Sequence, residues 1–158
     1  MPMPPAKGAQ FNGKFKLVAQ SDNTEEVMKF QGAPWLAIKA MKHAPKSKTL
    51  TIADDVVTND LCAAGVLHVI MKCPVVPSEN ARQHGIEKGV PNKMMGRDMV
   101  ASCWWEGDNL VVFNHEPKTG MDMVFTHSLS EDAGTMTCTI RIVRGDEFKE
   151  GQETFKRV

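Results

Sequence analysis

Three residue types able to move a proton or attack a carbon sit on short alternating segments late in the chain. They are His127 in MDMVFTHSLS, Cys138 in TMTCTIRIV and Glu153 in GQETFKRV. Successive side chains of a strand point to opposite faces. Met121, Met123, Phe125 and His127 therefore share a face, as do Met136, Cys138 and Ile140, and Glu153 shares one with Phe155. The apolar face of a half-buried strand is the one a fold covers, so each polar group is set among neighbours that seek a core. Enclosed together, a carboxylate, an imidazole and a thiol could act as acid, base and nucleophile on a confined substrate. They could equally be structural: Glu153 bonded to Arg141, Arg144 or a buried water, and His127 solvated near a strand end. No GxSxG, P-loop or dinucleotide-binding glycine pattern accompanies them. His68, Cys73 and His84 match no zinc spacing. The sequence thus assigns no catalytic residue, no metal and no cofactor beyond a bound ligand.

The elements that must position these groups follow from periodicity. In FNGKFKLVA, Phe11, Gly13, Phe15, Leu17 and Ala19 alternate with polar residues, the pattern of a half-buried strand. Asn23 is placed to cap a helix with Glu25 and Glu26 in its first turn, and Gly32 to close it. Pro34 opens a second helix, PWLAIKAMKH, with Trp35, Ile38 and Met41 near one face. This helix-turn-helix reads as an apolar-packed lid rather than a DNA-reading motif. From Lys48 onward KTLTIADD, VLHVIMKC, MVASCWWEG, LVVFNHE, MDMVFTHSLS, TMTCTIRIV and GQETFKRV are strand-like, and EGDN, PKTG and EDAG supply hairpin turns. Residues 74–97 read as a long loop with one short strand. One strand, two short helices and a run of antiparallel strands predict an all-β barrel with helices over one end. Of the adjacent Trp104 and Trp105, one must face inward; the outward one would be an exposed patch or a partner contact.

With 158 residues, 42% of them apolar, the chain has enough material for one core. Residues 1–10, MPMPPAKGAQ, read as a disordered tail, and 11–158 as a single domain. Nineteen basic and nineteen acidic residues cancel, which argues against nucleic acid as a partner. Four cysteines without a CxxC pair suggest reduced thiols, and the lack of a signal-like or spanning apolar run suggests a cytoplasmic location.

FNGKFKLV, NTEEVMKFQGAPW and RDMVASCWWEGDNLVVFN resemble the opening strand, first lid helix and middle hairpin of the intracellular lipid-binding proteins, the fatty-acid-binding and cellular retinoid-binding group. That resemblance implies a calycin-like, antiparallel up-and-down barrel of about ten strands under a helix-turn-helix lid, carrying a hydrophobic small molecule. It places Asn114 where a ligand-touching glutamine is common, and draws Met28 and Trp35 from the lid into the cavity. The departures are Phe15 for a usual Trp, Thr24 for a usual Phe, the tail, and an insertion before Arg97. In place of the family's terminal Arg-x-Tyr stands Glu153-Thr154-Phe155, and Phe125 stands near the position of a second arginine. The ligand-binding set expected is Glu153, Phe155, Phe125, Met123, His127, Asn114, Met136, Cys138, Met28 and Trp35. With no arginine beside it, Glu153 would be a neutral acid donating a hydrogen bond, and a simple fatty-acid carboxylate in the usual pose would be disfavoured. The expectation is a cytosolic carrier. The alternatives are a luciferase-like oxidation of an enclosed aromatic substrate on the same barrel, and a protein-interaction module. Lys29, Lys39, Lys42, His43, Lys46 and Lys48 cluster in and after the lid, which suggests transient contact with an anionic membrane surface.

Overall fold

Ten strands form one antiparallel sheet in the order β4-β3-β2-β1-β10-β9-β8-β7-β6-β5, curled into a nearly closed barrel. This computed structural model describes residues 4–64 and 67–158. The strands are β1 Gly13–Gln20, β2 Lys46–Ile52, β3 Val56–Ala63, β4 Leu67–Pro74, β5 Val90–Met94, β6 Arg97–Glu106, β7 Asn109–His115, β8 Asp122–Leu129, β9 Thr135–Arg144 and β10 Glu147–Arg157. Every strand pairs with the one before it in sequence except β5, which lies at the opposite end of the order from β4, and β1 pairs with β10, joining the two ends of the chain. The helices α1 Thr24–Gln31 and α2 Trp35–Met41 fall between β1 and β2, as the lid reading requires. Among the described residues no helix is long and apolar enough to cross a membrane.

Local chemistry accounts for the lid's ends. α1 stops at Gly32, whose φ of 90° is left-handed and lets its N–H return to the Lys29 and Met28 carbonyls. Asn23 does not cap α1 with its side chain. It accepts from Ser21 Oγ at 2.8 Å and donates to the Glu150 carbonyl at 2.7 Å, tying the start of α1 to β10. At the other end of α1, Arg97 on β6 donates to Gln31 O while its guanidinium grips Glu116 at 2.7 and 2.6 Å. The fork geometry of such a pair fixes direction as well as charge.

Three differences from the sequence reading have physical causes. Residues 4–10, expected to be part of a tail, carry a turn and the start of a 3-10 helix, Gly8–Phe11, because Phe11 packs on Trp105 with ring centroids 5.7 Å apart; residues 1–3 lie outside the described residues. β3 was not expected as a strand, since Asn59 and Asp60 interrupt the apolar alternation of VVTNDLCA. Residues 74–97 do hold one short strand, β5, but also a helix, α3 Ala81–Lys88, whose ARQHGIEK has too little apolar periodicity to announce itself.

α3 packs on the outside of β6 and β7. There Val76, Trp104, Val111 and Phe113 form a second apolar cluster, with Ala81 and Ile86 against it. Trp104 is consequently buried, not an exposed patch, and its indole N–H donates to Glu106 Oε1 at 3.0 Å. Trp105 faces the inner core with Phe15, Leu50, Leu110 and Phe155. The approach of α3 to the sheet depends on Gly89, where a Cβ would run into the Val100 side chain and stand 2.5 Å from Gly85 O and 3.0 Å from Ala101 O. Two of these three obstacles are backbone, which cannot rotate away. Gly89→Ala is therefore expected to cost about 1–3 kcal/mol of stability, the usual range for overpacking, read as a lower denaturant midpoint; an unchanged midpoint would mean that α3 is not pressed on the sheet.

Candidate ligand-binding cavity

Between the lid and the inner sheet face lies a cavity of about 290 Å³, at the lower end of the range of about 300–1,000 Å³ for small-molecule sites. The lid side offers apolar Val27, Met28, Ile38 and Met41, together with polar Thr24, Glu25, Gln31 and Lys42. Met71, Met123, Phe125 and Ile140 continue that surface on the barrel, and one sector is polar, with Lys46, Lys48, Asn59 and Glu153.

The polar sector is built by register. Glu153 on β10 pairs with Cys138 on β9, which pairs with His127 on β8, so the three groups singled out from sequence form a row across adjacent strands. All three are buried. Across β1, β2 contributes Lys46 and Lys48 from the face that also carries the buried Leu50. Lys46 Nζ stands 2.5 Å from Glu153 Oε2. Lys48, only 4% exposed, places Nζ 2.9 Å from His127 Nε2, 3.9 Å from Cys138 Sγ and 5.2 Å from the Phe155 ring centroid. Among the described residues no carboxylate lies within 4 Å of the Lys48 ammonium.

Hydrogen bonding fixes the imidazole's tautomer. His127 Nδ1 faces the Leu110 carbonyl at 3.2 Å, which can only accept, so Nδ1 carries the proton and Nε2 offers its lone pair to Lys48. Burial, reinforced by the Lys48 charge, holds the His127 pKa well below the usual histidine value. The thiol of Cys138 is pushed up by burial, against the opposing pull of Lys48, and stays a thiol. The sector therefore holds two ammonium groups, one carboxylate, a neutral imidazole and a neutral thiol.

Of the residues expected at the site, Glu153, Met123, Phe125 and Met28 line the cavity. His127, Cys138, Met136 and Phe155 are wholly buried beside it. Asn114 is buried away from the polar sector, accepting from Asn92 Nδ2 at 3.1 Å and donating to Met71 Sδ at 3.7 Å. Trp35 does not enter the cavity: it is 67% exposed, with Lys39 Nζ 4.9 Å from its ring centroid, because Ile38 and Met41 occupy the inward face of α2. The premise that no cation stands by Glu153 fails, since Lys46 supplies one. The basic lid face loses the same two lysines to the interior, while Lys29 and Lys42 both approach Glu25, at 3.8 and 3.9 Å. The missed residues were legible in part. KSKTLTI puts Lys46, Lys48, Leu50 and Ile52 on one face by strict alternation. Asn59, buried with Oδ1 lacking a partner, had no such signal. Among the described residues no group of three or more His, Cys, Asp or Glu side chains could hold a metal ion.

This is the fold of the lipid-binding proteins. Lipid binding protein 8 of Caenorhabditis elegans superposes with a TM-score of 0.73 at 16% identity, over 99% of each chain. A Schistosoma mansoni fatty acid binding protein, solved with arachidonic acid, gives 0.72 at 17% identity, over 97% of this chain and 99% of that one. A secretary abundant heat soluble protein from Ramazzottius varieornatus gives 0.74 at 9% identity, over 96% and 97%. No family model and no curated protein matches the sequence. At these identities the likeness establishes architecture, and the polar sector has to be read from its own residues.

Two measurements test that sector. Lys46→Met leaves the Glu153 carboxylate buried without its cation and should cost about 3 kcal/mol, the low end for a broken buried pair because Lys46 is partly exposed. Glu153→Gln added to Lys46→Met should recover most of the loss; no recovery would mean that the pair is not the cause. Because His127 stays neutral in the fold, the unfolded chain alone takes up that proton below about pH 6.5. Stability should then fall by about 1.4 kcal/mol per pH unit below that point. His127→Gln should flatten this part of the unfolding profile, whereas an identical profile would show that His127 is not held neutral.

Proposed function

We propose that the protein is a divergent intracellular lipid-binding protein: a non-enzymatic, cytoplasmic carrier that holds one hydrophobic small molecule between the lid and the barrel. The single observation that carries this reading is the Lys48 ammonium. It lines the cavity whose wall includes Met71, Met123, Phe125 and Ile140, and its nearest hydrogen-bond partner is a neutral imidazole. A buried charge is tolerated when it is paired and hydrogen-bonded. Lys46 and Glu153 compensate one another, which leaves one positive charge in the sector. A ligand whose polar end is an anion, or a strong acceptor, would complete it, and its apolar body would lie along Met28, Met123, Phe125 and Ile140.

This reading reverses the disfavour toward a carboxylate ligand that Glu153 alone suggested, since Lys46 already answers Glu153. It keeps the departure from the usual headgroup pose, because the receiving cation comes from β2 and not from β8 or β10. Free thiols at Cys62, Cys73, Cys103 and Cys138 agree with a reducing compartment.

The test is competition against an apolar fluorescent probe with dodecanoate and dodecanol. Dodecanoate should displace the probe at one site per chain and more strongly than the alcohol. Lys48→Met should weaken dodecanoate by about 10- to 100-fold, equivalent to the roughly 1.5–3 kcal/mol of a hydrogen bond to a charged group, and change dodecanol little. Failure of the probe and both competitors to bind would reject the carrier. Equal loss for acid and alcohol would reject Lys48 as the headgroup partner.

A further inference from the structure

Lys48 is more than a point charge, because a lysine in an apolar pocket can also be a nucleophile toward a carbonyl carbon. We infer that Lys48 captures apolar aldehydes covalently and reversibly, as an imine formed inside the cavity with His127 relaying the proton. The inference rests on the cavity being a ligand site, as proposed above, and adds a reaction to it.

Four observations carry it. Lys48 lines the cavity, so an aldehyde lying along the apolar wall can present its carbonyl to Nζ. No carboxylate within 4 Å, among the described residues, locks the ammonium in an ion pair; Glu153 is engaged by Lys46. His127 Nε2, at 2.9 Å, is an unprotonated acceptor aimed at Nζ, its tautomer set by the Leu110 carbonyl. The surroundings, Phe155 against Lys48 and Cys138 beyond it, are buried, which limits the water that would hydrolyse an imine.

The step balances within these groups. The ammonium passes one proton to His127 Nε2, and the freed amine attacks the aldehyde carbon, forming the C–N bond as the carbonyl π pair moves to oxygen. A second proton moves from nitrogen to that oxygen, giving a carbinolamine. His127 returns its proton to the hydroxyl, which leaves as water while the nitrogen lone pair closes the C=N bond. In sum, an ammonium and an aldehyde become an iminium and one water, with no oxidant or reductant. The low basicity of the buried imidazole suits a brief holder that gives the proton back. One positive charge is buried before and after, and the single iminium N–H retains the acceptor that the ammonium used. The exchange therefore needs no new counter-ion, in contrast to losing the charge beside an imidazole already arranged to receive it.

The test incubates the full chain with dodecanal and cyanoborohydride at neutral pH, with intact-mass and peptide-map readouts. The expected result is one alkyl adduct per chain, on Lys48 ahead of every other lysine, and suppressed by excess dodecanol, which shares the chain but not the carbonyl. Lys48→Arg, which keeps the charge but has no amine able to form the imine, should lose the adduct. His127→Gln should retain the site of labelling and slow it on the order of 100-fold, the scale of a lost proton relay. Adducts spread over surface lysines, or labelling at Lys48 that dodecanol does not suppress, would overturn the inference. If dodecanol and dodecanoate displace the probe but Lys48 is not labelled, the imine fails and the carrier stands; if nothing binds, both fail.

Discussion

A carboxylate cannot be left alone inside an apolar barrel, and the polar architecture of this protein follows from that constraint. Isolated burial of an ion costs far more than any one packing contact returns. Glu153 is fixed inward by the pleat of β10 and by its neighbour Phe155, so a cation must reach it. The pairing of β1 with β10 provides one, because it sets β2 one strand away and Lys46 within 2.5 Å. Once Lys46 is committed, Lys48 two residues on is inward by the same alternation and has no carboxylate left to meet. His127 takes the role of partner in the neutral form, and Lys48 is left without a carboxylate within 4 Å among the described residues.

The rest of the fold keeps that sector still. β6 and β7 are packed on both faces, inward through Trp105 and Leu110 and outward through Trp104 and Phe113 beneath α3. Strands buried on two sides are a firmer frame than a sheet with a wet face. Leu110 matters twice, since its side chain is core and its carbonyl orients His127. The lid is tethered rather than fused: Arg97 and Arg144 donate to the Gln31 and Phe30 carbonyls near the end of α1, and Asn23 holds its start. α2, with Trp35 and Leu36 exposed, has no such anchor among these bonds.

Most of the barrel could be read from alternation, because strands such as FNGKFKLV and TMTCTIRIV have one wet and one dry face and say so residue by residue. β3 and α3 could not. Asn59 places a polar group on the inner face of a strand that lines the cavity, a wall that accepts it, while Asp60 turns outward to meet His68 Nε2 at 2.8 Å. α3 is held by a few residues and two close glycines on a surface that itself is invisible in a local window. At the site, the row Glu153, Cys138 and His127 was legible as three inward groups, but its meaning was not. That meaning depends on which strand lies across the barrel seam, a long-range fact that no local pattern carries, even though KSKTLTI plainly marked its two lysines as inward. Trp35 misled because its size suggested a core residue while its place at the first turn of α2 turns it to solvent.

The most direct measurement is nitrogen-15 NMR of the His127 ring through a pH titration of the ligand-free protein. A neutral imidazole protonated at Nδ1, with an unprotonated Nε2, unchanged from about pH 8 to about pH 5 across the usual histidine range, is the predicted result. It would establish that the buried Lys48 faces a lone pair and not a donor. Protonation of His127 near its ordinary value, or an Nε2–H tautomer, would contradict this, for Lys48 would then face a donor and the charge balance that shapes the cavity would be wrong.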